Sequence, residues 1–134
     1  MPKKKSTLHQ TYDQNIINAL RKIQFPITGI NGKVFVVRDK KRNESGEEHI
    51  ARKDHRLKVR DIEEVPSILK HPRYQCNDPD SKIYKNYYGI RKGKDRGSFV
   101  KIVTSPLKND KNKEEIITIY PTDSIKVEKA KKKS

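Results

Sequence analysis

The chain has 134 residues, of which 31% are hydrophobic and 37% charged, so it has material for one modest core and not for two independent domains. Its 32 Lys and Arg against 17 Asp and Glu give a formal charge of +15, a field that draws polyanions at long range and makes nucleic acid the expected partner. The longest apolar run, VFVV at 34–37, is far too short to span a membrane, and the single cysteine, Cys76, excludes an internal disulfide; a cytoplasmic protein with no membrane association is expected.

The lysine-rich ends read as solvated tails at 1–9 and 128–134, which leaves a single domain over 10–127. Between Gln10 and Phe25, Ile16, Ile17, Leu20 and Ile23 recur at helical spacing, which predicts an amphipathic helix that stops before Pro26. TGINGK is a turn, VFVVRD a short strand and KKRNESGEE a polar loop. After HIARKDHR at 49–56, the segment DIEEVPSILKHP sets Ile62, Val65, Ile68 and Leu69 on one side of a short, broken helix in which Pro66 can open a new helical turn. RYQCNDPDSK is rich in turn formers and reads as a loop.

The period then changes from about 3.6 to 2, the mark of strands. IYKNYYGIR, SFVKIVTS and EEIITIYP form three alternating runs joined by polar turns, and SIKV can add an edge. The order implies an α+β fold, with N-terminal helices packed on one face of a four-stranded antiparallel sheet. If Val100, Ile102, Ile117, Ile119, Tyr88 and Ile90 face the helices, the opposite face gathers Lys85, Tyr87, Arg91, Lys101, Thr118 and Tyr120. Cations, hydroxyls and rings on one surface suit RNA, whose bases stack and whose phosphates accept hydrogen bonds. Each residue also has a plainer reading, as a solubilising charge or a half-buried strand former.

The ordered series HIARKDHR, ILKHP, NYYGIR, FVKIVTS and EIITIYP, over residues 49–120, resembles the phage-associated nucleases of the barnase, EndoU, colicin tRNase and RelE-like superfamily. The resemblance implies helices on a four-stranded antiparallel sheet and RNA cleavage without a metal or other cofactor. It places the histidine of that group on His49, with His55 as the second candidate, and its basic strand position on Lys101 or Arg91. The hydroxyl of the last strand falls on Thr118 and the following ring on Tyr120. No histidine stands in that last strand, so the general acid is not identified by the resemblance.

Such a set implies an endoribonuclease of toxin type that acts on tRNA or mRNA. A histidine would take the proton of a 2′-hydroxyl, Arg91 and Lys101 would clamp the phosphate, and a 2′,3′-cyclic phosphate would result. Lys85, Tyr87, Arg52 and Arg56 are the expected RNA contacts, and an acidic antitoxin or immunity protein is the expected protein partner. On a continuous helix the six-residue gap between His49 and His55 turns them about 600° apart, so they would converge only if the segment bends, and His49 is the preferred catalyst. The competing class is a non-enzymatic RNA- or DNA-binding or ribosome-associated protein with the same basic sheet.

Overall fold

A computed structural model describes residues 12–41, 44–79, 81–91 and 98–123. The expected tails and the edge strand at SIKV lie outside the described residues. Helix α1 (Gln14–Lys22) starts at Asp13, whose carboxylate accepts the Asn15 N–H at 2.9 Å, and ends with Arg21 and Lys22 against its negative pole. Strand β1 (Ile27–Thr28) and β2 (Val34–Val37) flank a tight turn in which Asn31 and Gly32 take positive φ. A small hairpin of β3 (Lys40–Lys41) and β4 (Glu44–Ser45) leads into α2 (Gly46–Ile50). The expected broken helix is two helices, α3 (Val59–Glu63) and α4 (Val65–Lys70), with Pro66 in the first turn of the second. Four strands follow: β5 (Tyr74–Asn77), β6 (Lys85–Ile90), β7 (Ser98–Leu107) and β8 (Asp110–Asp123).

The main sheet is six-stranded and mixed, ordered β1-β2-β8-β7-β6-β5, and corrects the four-stranded antiparallel expectation. β5 to β8 form an antiparallel meander, and β2 lies parallel to β8 with Val34 opposite Lys113 and Val37 opposite Ile116. A parallel partner arrives through a long crossover and leaves no turn signal in the sequence. The YQCN segment, read above as loop, pairs with β6 as an edge strand, where short and polar strands are common.

The core lies between this sheet and the helices. Ile16, Ile17 and Leu20 of α1, Ile50 of α2, Ile62 of α3 and Val65, Ile68 and Leu69 of α4 bury against Phe35, Tyr87, Val100, Ile102, Ile116 and Ile119. Val100, Ile102 and Ile119 thus face the helices as expected. Ile116 joins them because the register shifts after Val103: Thr118 pairs with Val103 and Ile116 with Thr104, so Ile117 is an extra residue, a bulge. β6 has the opposite facing to the expected one. Tyr87 points into the core and Tyr88 away from it, because Gly89 must lie under α4: a Cβ there would meet Ile68 Cγ1 at 2.3 Å. Among the described residues, no helix is long and apolar enough to cross a membrane.

Candidate functional site

The stretch from His49 to His55 bends, and the bend makes the site. Ser45 caps α2: its Oγ accepts the Glu48 N–H at 3.0 Å while the Glu48 carboxylate accepts the Ser45 N–H at 2.9 Å. Gly46 lets the first turn lie against the chain just beyond β2, since a Cβ would stand 1.6 Å from the Arg38 carbonyl oxygen. The helix ends at Ile50, Arg52 is extended, and residues 53–55 form a 3-10 turn that closes at Arg56 in the left-handed region. The two imidazole rings therefore meet edge to face, with centroids 5.6 Å apart. The condition for their convergence, a bend in the segment, is met because the helix is not continuous.

Glu44 organises the surroundings of His49. Its carboxylate accepts from His49 Nδ1 at 2.9 Å, from Arg52 Nε and Nη2 at 3.0 Å each, and from the Tyr12 hydroxyl at 2.7 Å. Partial burial pushes its pKa up, but the hydrogen bonds from Arg52, Tyr12 and His49 outweigh that and hold it at about 2. Burial beside this anion in turn pushes the Tyr12 phenol up to about 12, so it stays a donor. A carboxylate at this pKa only accepts, which makes Nδ1 of His49 the protonated nitrogen. Tyr12 is held in place by a backbone bridge to Arg52 and by the Asp13 N–H donating to Ala51 O at 2.8 Å, so α1 and the histidine segment are anchored to each other.

His55 is half-buried, and its Nδ1 donates to the Ile50 carbonyl at 3.1 Å. Burial lowers its pKa against the raising effect of that carbonyl, which favours the neutral ring. Beyond Ile116, where β2 stops, β8 continues past this segment, and the Tyr120 ring lies 6.0 Å from the His55 ring. Lys101, opposite Tyr120 on β7, sets its ammonium 5.1 Å from the Tyr120 ring centroid. Among the described residues, no group of three His, Cys, Asp or Glu side chains is placed to hold a metal ion.

The fold thus brings together His49, His55, Arg52, Lys101 and Tyr120, with Thr118 on the same face of β8 as Tyr120, and commits Arg91, Lys85 and Tyr87 to other charged partners. Arg91 makes a two-pronged pair with Asp61, Nε to Oδ1 at 3.0 Å and Nη2 to Oδ2 at 2.9 Å, and its Nη2 also donates to the carbonyl of the exposed Arg56. Asp61 is fully buried, so this pair pins β6 to α3. The Thr118 hydroxyl is buried and, among the described residues, has no hydrogen-bond partner. Tyr87 and Lys85 lie on the helix-bearing face, where the Tyr87 hydroxyl donates to the buried Glu114 at 2.8 Å. Sequence reasoning missed Glu44 and Tyr12. The Ser-Gly-Glu-Glu capping signature at 45–48 marks where α2 begins, and with it the position of the acid one residue before.

No protein-family model, no curated protein and no solved structure matches this chain.

Proposed function

We propose that this protein is a metal-independent endoribonuclease of toxin type, cutting tRNA or mRNA by attack of a 2′-hydroxyl on the adjacent phosphate. One observation carries the reading: two imidazoles in ring contact, each with its Nδ1 committed to a different acceptor, beside a tyrosine on β8 that a lysine on the paired strand β7 covers. His55, kept neutral by burial, presents Nε2 as the base that takes the 2′-proton. His49, with Glu44 fixing its tautomer and facing the charge of its imidazolium form, returns a proton through Nε2 to the departing 5′-oxygen. Lys101 and Arg52 face the charge that grows on the phosphate, and the Tyr120 ring offers a surface for a base. The absence of a histidine from the last strand is then answered by a second histidine in the same segment.

The second reading, a basic nucleic-acid-binding or ribosome-associated protein without catalysis, draws on Arg91, which is paired with Asp61 rather than placed with the histidines. An acidic antitoxin or immunity protein fits either reading, because a chain of charge +15 is readily masked by a negative partner. The deciding experiment incubates the pure protein with total RNA in EDTA and maps the new ends. Cleavage leaving 2′,3′-cyclic or 3′-phosphate ends, lost by roughly 100- to 10,000-fold in His49→Ala and His55→Ala with RNA affinity kept, supports the first reading. RNA binding without cleavage selects the second, and 5′-phosphate ends requiring Mg²⁺ refute the proposed chemistry.

A further inference from the structure

A second charged cluster lies on the helix-bearing face of the sheet, at the other end of β8. Glu114 is fully buried and takes three donors: Tyr87 Oη at 2.8 Å, Thr104 Oγ1 at 2.6 Å and Lys33 Nζ at 2.5 Å. Lys85 Nζ stands 3.7 Å from the same carboxylate, beyond hydrogen-bond distance. Two ammonium groups thus share one carboxylate that is already served by two hydroxyls and one of the amines. Both lysines line a cavity of about 450 Å³ whose walls also include Asn31, Gln75 and Asn77. Glu114 and Tyr120 stand six positions apart on β8, about 20 Å of extended chain, and the two side chains lie on opposite faces.

We propose that this cavity is a phosphate-binding site, in which Lys33 and Lys85 receive the phosphate group of a ligand up to the size of a nucleotide. With both amines protonated, the cluster carries one surplus positive charge, held at the wall of a concave space where solvent screens it less than on an open surface. A structural purpose alone accounts for one lysine and not for two: Glu114 is neutralised by Lys33 and hydrogen-bonded by Tyr87 and Thr104, and adding Lys85 puts like charges side by side. An anion between the two amines removes that repulsion. Lys85 bears the mark of it, with its pKa pushed down first by Lys33 and then by burial, while Glu114 overcomes burial to raise that of Lys33. The amides of Asn31, Gln75 and Asn77 supply further donors to phosphate oxygens or to a base. The volume exceeds what inorganic phosphate needs and falls within the usual range for small-molecule sites, about 300–1,000 Å³.

The inference does not depend on the histidine site, and its test reads binding alone. Isothermal titration of the full chain with inorganic phosphate and with adenosine 5′-monophosphate, in parallel with Lys85→Met, Lys85→Arg and Lys22→Met, separates a built site from diffuse attraction. Saturable one-to-one binding is expected, weakened roughly ten- to hundredfold in Lys85→Met, within about threefold of the parent in Lys85→Arg, and unchanged in Lys22→Met, which removes an equal charge from the exposed end of α1. Lys85→Met removes the repelled amine and leaves Glu114 its three donors, so an unchanged melting temperature is expected and a loss of binding reads as a loss of the site. Tighter binding of the mononucleotide than of phosphate identifies a nucleotide ligand; equal or weaker binding identifies the free anion. Absence of saturable binding for both probes, or an equal effect of Lys22→Met and Lys85→Met, overturns the proposal.

Discussion

Replacing Glu44 by Gln keeps the shape of the side chain and removes the charge on which Tyr12, His49 and Arg52 converge. The carboxylate is held at a pKa of about 2 against an ordinary 4.5. At about 1.4 kcal/mol per pH unit, that difference corresponds to about 3 kcal/mol of stability carried by the ionised form. The side chain is 14% exposed, so solvent screening reduces this only in part, and a loss of about 2–3 kcal/mol at pH 7 is expected for Glu44→Gln. The pH dependence has a definite sign. Because the folded pKa lies below the unfolded one, the contribution is complete above pH 4.5 and fades as the pH falls toward 2. Urea unfolding of both proteins at pH 7, 5 and 3, with equal m-values, reads the difference directly. The gap should be widest at pH 7 and 5 and clearly narrower at pH 3. A variant as stable as the parent at pH 7, or a gap independent of pH, would refute the view that Glu44 is the ionised hub of this segment. If RNA cleavage is present, Glu44→Gln should also slow it, since a carboxamide can turn either its oxygen or its N–H toward Nδ1 and no longer fixes the tautomer of His49.

Gly46→Ala should destabilise the fold by about 2 kcal/mol or more and reduce any activity of His49, because its Cβ meets the Arg38 carbonyl rather than a movable side chain; a thermal melt and a cleavage assay check both. Gly89→Ala should cost about 1–3 kcal/mol and be partly relieved in Gly89→Ala/Ile68→Ala, since the obstacle there is the Ile68 side chain; a double-mutant cycle in urea tests the coupling. Arg91→Ala should cost about 3–5 kcal/mol by leaving the buried Asp61 carboxyl without its guanidinium partner, with much of the loss regained in Arg91→Met/Asp61→Leu; equal stability of the single variant and the parent would show that the pair carries no weight. RNA affinity should fall with salt at a log-log slope of about −0.7 per phosphate contacted on a single strand, and a flat response would exclude phosphate-dominated binding.

Local pattern and composition by themselves determined a good part of this protein. The charge, the amphipathic helix ended before Pro26, the helix broken at Pro66 and the three long strands all follow from signals contained within short windows. The placement of Val100, Ile102 and Ile119 toward the helices, with Lys101 and Tyr120 opposite, came from alternation alone. Alternation failed where one residue breaks it: the bulge at Ile117 returns Ile116 to the core, and in β6 the closeness of Ile68 to Gly89, not the polarity of the two adjacent tyrosines, decides which of them enters the core beneath the helices. His49 and His55 were legible as candidates, but their contact depends on a helix that ends at Ile50 and a left-handed turn at Arg56. The partners that matter most were the least legible. The parallel pairing of β2 with β8 and the bond from Lys33 to Glu114, 81 residues apart, exist only once the crossover has closed. Periodicity reports whether a segment has a buried side; which distant segment buries it, and which charge it meets there, is decided by the packing of the whole chain.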